Sequence, residues 1–232
     1  MPQATTTFLQ LCRQVARDSG VISGVKPSTT VGQTDQLLQL VEWVKDAWVT
    51  IQSDQLWPWM RTEFSEVTIA NTASYTAAGW GLTDHSDWVT DLESVTMYLT
   101  ATGVSDEGFL QAIPYATYRK RYLMGTQTAG RPVEYAISPT GVFYVGPKPD
   151  AVYTIRGEYF KTPQVFSADA DAPTGLPEEF VKVITYRALL QFGEYDEAGP
   201  AMAAAEKNYR DIMGRMYRKM LPALAMGGRP LA

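Results

Sequence analysis

The one histidine of the chain, His85, sits in the run GWGLTDHSDW at 79–88. An imidazole between Asp84 and Asp87 has the residue types for acid–base work, because it exchanges a proton near neutrality. Neighbours in sequence point apart, however, and such a centre needs partners from distant segments. The run reads as a polar surface loop anchored by Trp80 and Trp88. Asp84, Asp87, Asp91 and Glu93 are hard-cation ligand types. They lack the alternating spacing and central glycine of a calcium loop, so they read as a solvated acidic stretch.

Glu178 and Glu179 have the residue types of a glycosidase pair, but adjacent helical residues diverge and cannot flank one bond. Acids at that point suit the start of a helix. Arg119, Lys120 and Arg121, with Tyr115, Tyr118 and Tyr122 beside them, mix cations with aromatics as nucleic-acid surfaces do. The tyrosines recur at helical spacing, so they are expected to pack while the cations face water. With one cysteine, Cys12, and one histidine, the sequence has no internal disulfide, no multi-histidine or cysteine-based metal site and no independent catalytic triad outside His85. No GxxxxGK[ST] or GxGxxG run is present, and no cofactor is expected.

The elements that would position these residues follow from periodicity. Phe8, Leu11, Cys12 and Val15 predict a helix over 5–18, and Leu37, Leu40, Val41, Val44, Trp48 and Ile51 a longer one over 33–56, stopped by Pro58. Alternation then predicts strands at 64–70, 94–100 and 109–113. A short helix over 115–124 and strands at 133–138, 142–146 and 152–160 follow. Pro139, Thr140 and Gly141 read as a hairpin turn, and the strands as an antiparallel meander. Helices over 176–195 and 201–220 complete the chain. The predicted class is α+β: a helical bundle from residues 1–60 and 176–220, an inserted antiparallel β module over 61–175, and an extended C-terminal tail over 221–232.

Of 232 residues, 12% are aromatic and only 19% charged, a composition that fits either a surface destined for other protein or a globular fold with an aromatic core. The net charge is −5, which speaks against a sequence reader of nucleic acid. From Glu206 onward, six cationic side chains face two carboxylates, so the last helix is basic on an acidic body. The N-terminus lacks the pattern of a signal peptide, and no apolar run reaches a membrane span, so a soluble chain made in the cytoplasm is expected.

In order, the segments are LWPWMRTEFSEVTIANTASYTA (56–77), ESVTMYL (93–99), YATYRKRY (115–122) and GRPVEYAI (130–137). VGPKPDAVYTIRGEYFKTP (145–163), LPEEFVKVITYRALLQFGEY (176–195) and AAAEKNYRDIMGRMYRKM (203–220) follow. Together they resemble the head-to-tail adaptors of tailed bacteriophages, of the tail tubular protein A or gatekeeper type found in short-tailed phages. The resemblance implies a virion protein of the tail and neck. It implies a homo-oligomeric ring, usually of twelve subunits, between the portal protein and the tail nozzle and fibres. Double-stranded DNA would pass through the lumen without sequence recognition.

On that resemblance the portal-binding residues are expected to be Arg215, Arg218, Lys219, Leu221, Leu224, Met226, Arg229 and Leu231. Trp80, Trp88, Tyr144, Tyr153 and Tyr159 are expected at a tail or subunit interface. No catalytic or metal residue, and no membrane contact, is expected. The alternatives from the residues are a virion-associated peptidoglycan hydrolase using the carboxylates above and a nucleic-acid-binding module using the 119–121 helix and the last helix.

Overall fold

A computed structural model describes residues 3–20, 26–91, 93–195 and 199–221. The chain is of the α+β class and divides into two compact units, Met1–Trp59 with Pro163–Ala232, and Met60–Thr162.

In the first unit, α1 (Phe8–Ser19) starts from a capping box. Gln10 N donates to Thr7 Oγ1 at 3.3 Å, and Thr7 N donates to Gln10 Oε1 at 2.9 Å. Two donors that the first turn leaves free are thereby satisfied. α2 (Asp35–Asp54) buries Leu40, Val41, Val44, Trp48 and Ile51 along the stripe the sequence shows. α4 (Lys182–Tyr195) packs against α1, α2 and α5 (Gly199–Met220). It buries Val183, Ile184, Thr185, Ala188, Leu189, Leu190 and Phe192, because a helix with neighbours on three sides needs a wide apolar face.

Glu178 and Glu179 stand in a 3-10 turn, Glu178–Phe180, ahead of α4. Residues 163–175, placed with the β module by the sequence, lie in the helical unit. Phe166 holds them there, stacked on Phe8 and Trp48 with ring centroids 4.9 and 6.0 Å apart.

Among the described residues the second unit holds nine strands in two sheets. One sheet has the order β1 (Arg61–Val67), β9 (Tyr153–Lys161), β4 (Thr96–Leu99), β5 (Gly108–Phe109), with β3 (His85–Trp88) paired to the far end of β9. The other has the order β2 (Ser74–Tyr75), β8 (Phe143–Gly146), β7 (Glu134–Ile137), β6 (Gln111–Ala112). The hairpin at 139–141 forms as the sequence predicts, with Ile137 opposite Phe143.

The simple meander does not form. β9 leaves the hairpin's sheet to become the centre of the other, and β6 runs parallel to β7. The strand expected at 109–113 is two strands in different sheets. The chain changes sheet at Leu110, which is buried and donates its N–H to Val95 O at 2.9 Å. The loop expected at 79–88 contains β3. Its bulged register with β9 runs Asp87 to Phe160 and Trp88 to Tyr159.

Between the sheets lies an aromatic core that includes Phe64, Trp80, Trp88, Tyr135, Phe143 and Tyr159. Tyr153, Ile155, Gly157 and Tyr159 of β9 face it, and Arg156 and Glu158 point the other way, as a period of two requires. The helix α3 (Tyr115–Tyr122) buries Tyr118, whose hydroxyl donates to Val145 O at 2.9 Å.

Candidate interaction surfaces

The register of β1 and β9 fixes what the outward face of the five-stranded sheet displays. Glu63 stands opposite Glu158, and Ser65 opposite Arg156. Thr96 of β4 flanks Arg156 on its other side, with Phe109 beyond it. Glu63, Thr96, Arg156 and Glu158 border a concavity of about 480 Å³. Five carboxylates line it, from Glu63, Asp91, Glu93, Glu107 and Glu158, against two cations, Arg61 and Arg156.

Arg61 bridges Glu158 and reaches Asp91 at 3.4 Å, and Arg156 lies 3.6 Å from Glu107. Among the described residues no cation comes within 4.0 Å of Glu63 or Glu93. Like charges directly opposite on a sheet repel, so this face carries an uncompensated negative field. Phe109, at 61% exposure, adds an apolar ring to it.

The helical unit displays the opposite sign. A groove of about 560 Å³ between α4 and α5 is lined by Lys182, Arg215 and Arg218, with Tyr186, Ile212 and Asp211. None of the three cations has a carboxylate within 4.0 Å among the described residues. Arg215 and Arg218 recur on one side of α5 at i and i+3, next to Lys182 at the start of α4. Arg215 lies 6.0 Å from the ring of Phe180, and Lys219 bridges Glu179 and lies 5.7 Å from the same ring.

Of the residues expected to meet the portal, Arg215, Arg218 and Lys219 are therefore exposed on α5, and Leu221 is half-buried at its end. Leu224, Met226, Arg229 and Leu231 lie outside the described residues. The aromatic set expected at an interface is placed differently. Trp80, Trp88, Tyr153 and Tyr159 are buried in the core of the β module. Their polar tips find partners inside it: Trp88 Nε1 donates to Gly141 O at 2.8 Å, and the hydroxyls of Tyr153 and Tyr159 to Asp150 and Asp84 at 2.7 Å. Tyr144 is half-buried against Tyr115 and Tyr118. Two packed sheets need large side chains between them, and these supply the bulk.

The glutamates with catalytic residue types are held by other contacts, and His85 packs among aromatic rings with its Nε2 unpartnered among the described residues. His85 lies against Trp88 at 4.2 Å and Tyr159 at 5.5 Å; burial of its ring pushes its pKa below the ordinary histidine value. Glu178 accepts from Thr6 Oγ1 at 2.6 Å and from the Thr5 backbone, while Glu179 pairs with Lys219. The tyrosines of α3 pack, Arg119 and Lys120 face solvent, and Arg121 pairs with Glu134.

Sequence reading missed Lys182 and the whole outward sheet face. The signal for the sheet face was the polar alternation of Arg61, Glu63 and Ser65 around buried Phe64, which acquires meaning only once β9 is known to be its partner.

Among the described residues no helix is long and apolar enough to cross a membrane. The family model described as SU10 adaptor protein matches residues 6–230, across both units. No curated protein matches the chain.

Proposed function

The chain belongs to the SU10 adaptor protein family, and from that premise we propose that this phage structural adaptor is of the short-tailed, gatekeeper form. In this reading it assembles as a homo-oligomeric ring of twelve in the virion neck. The ring is seated on the portal protein, receives the tail nozzle and fibres, and lets double-stranded DNA pass.

The observation that carries this is the extent of the family match, from residue 6 to residue 230. Two physical features support it. A ring built head to tail needs two different complementary surfaces on each subunit, and the chain carries an acidic concavity and a basic groove. An acidic body also repels phosphates, which suits a conduit that must not hold its cargo. Arg218, Lys219 and Leu221 at the end of α5 are assigned to the portal contact, together with Leu224, Met226, Arg229 and Leu231 beyond it.

Negative-stain electron microscopy of the purified chain, alone and mixed with an isolated portal ring, tests the reading. Rings that cap the portal are expected, and removal of residues 222–232 should abolish capping. A chain that neither forms rings nor binds the portal overturns it.

A further inference from the structure

We propose that the outward face of the five-stranded sheet is the socket for Lys182 and Arg215 of a second copy of this chain, which line its α4–α5 groove. This rests on the ring reading above and names the two surfaces that make its subunit contact.

The sheet contributes an unusual charge arrangement. Glu63 and Glu158 are direct cross-strand neighbours on one face, an arrangement that costs stability. Of this pair Arg61 compensates Glu158 and not Glu63, and it reaches Asp91 as well. Glu63 is exposed on that face, and Glu93 lines the same concavity with no cation near it. Positive charge from outside would relieve both. The carboxylates do not converge as a cation site, since among the described residues no three metal-ligating side chains group together.

The helical unit provides the matching partner. Lys182 and Arg215 are exposed on neighbouring helices and lack ion-pair partners among the described residues. Long cationic stems that project from two neighbouring helices can reach into a concave sheet face while their methylenes cover apolar surface. Phe109 beside the socket, and the half-buried Tyr186 beside Lys182, supply that surface. Arg215, expected at the portal from the sequence, belongs in this pairing to the contact with the neighbouring copy. A contact of this kind joins two different patches, so it propagates from copy to copy and closes into a ring when the rotation permits.

Charge reversal in trans tests the pairing. One variant carries Glu63→Lys with Glu93→Lys, and the other Lys182→Glu with Arg215→Glu. All four positions are exposed, and circular dichroism checks that each variant folds. Sedimentation velocity at low salt should show that each variant alone self-associates at least about tenfold more weakly than the unaltered chain. An equimolar mixture of the two should recover assembly, because each reversed socket then finds a reversed groove.

Glu63→Lys alone should also raise the denaturation midpoint while weakening assembly, since it places a cation opposite Glu158. If the unaltered chain assembles and the variants assemble equally well, or if the mixture fails to recover, the pairing is wrong and the ring reading stands. If the unaltered chain does not assemble even on a portal ring, the ring reading itself fails and the pairing with it.

Discussion

Gln52 and Gln164 exchange two hydrogen bonds across the helical unit. Gln164 N donates to Gln52 Oε1 at 2.8 Å, and Gln52 Nε2 donates to Gln164 O at 2.9 Å. The side-chain amide of α2 thus pairs with a peptide unit as a neighbouring strand would. Gln164 uses its own side chain further: its Oε1 accepts from Trp48 Nε1 at 3.1 Å and from Thr174 N at 2.9 Å. Gln52 is only 4% exposed, so water does not replace these bonds. The irregular segment 163–175 is held on the helices by this exchange.

Replacing Gln52 with Ala should destabilise the helical unit by about 1–3 kcal/mol, because it leaves the two half-buried backbone groups of Gln164 without these partners. Urea unfolding followed by tryptophan fluorescence measures it. Gln36→Ala, at an exposed position of the same helix, should change stability by no more than about 0.5 kcal/mol.

Gly157 lies directly across from Phe64, and a Cβ there would meet the Phe64 ring at 2.9 Å. Phe64 fills the space that the glycine leaves and touches Trp80, Trp88 and Phe143. Gly157→Ala should therefore overpack the β module and cost about 1–3 kcal/mol. Loss of near-ultraviolet dichroism with the far-ultraviolet spectrum retained would report it. A fully stable variant would mean that the ring moves aside freely.

How much was legible in the sequence follows from the range of the forces involved. α2 was readable because Leu40, Val44, Trp48 and Ile51 state its buried side within one helix. The hairpin at 139–141 was readable because its turn residues lie between its own strands. β3 was not readable. Only Trp88 of its four residues is buried, and β9, which pairs with it, lies some seventy residues away. The split at Leu110 was hidden for the same reason, since two sheets compete for one short apolar run. Trp80, Trp88, Tyr153 and Tyr159, expected at an interface, are buried in the core of the β module. The charges that face outward were set by a register no local pattern reveals.

Cys12 is fully buried in α1, and burial pushes its thiol up to about 12. The thiolate is the reactive form, so a disulfide reagent at neutral pH should label the native chain only as fast as the helical unit opens. Labelling should become complete and rapid in denaturant. Rapid labelling without denaturant would show that α1 detaches on its own.

Three carboxylates of the helical unit are held below their ordinary range by hydrogen bonds. Asp169 accepts from the hydroxyl and the N–H of Thr30, Asp171 from the N–H groups of Ala168 and Ser167, and Glu178 from Thr6 and Thr5. For such groups the unfolded chain binds more protons than the folded one between the two pKa values, so stability rises with pH across that window. The contribution is fully present above the unfolded values near pH 4 and is lost as the pH falls through them toward the depressed folded ones. Denaturant midpoints should therefore stay level from neutrality down to about pH 5 and fall below it. Glu178→Gln removes one titrating group and keeps an acceptor for Thr6, so its curve should start lower at neutrality and fall less steeply in acid. Equal slopes for the two proteins would show that the Thr5–Thr6 contact does not depend on the charge of Glu178.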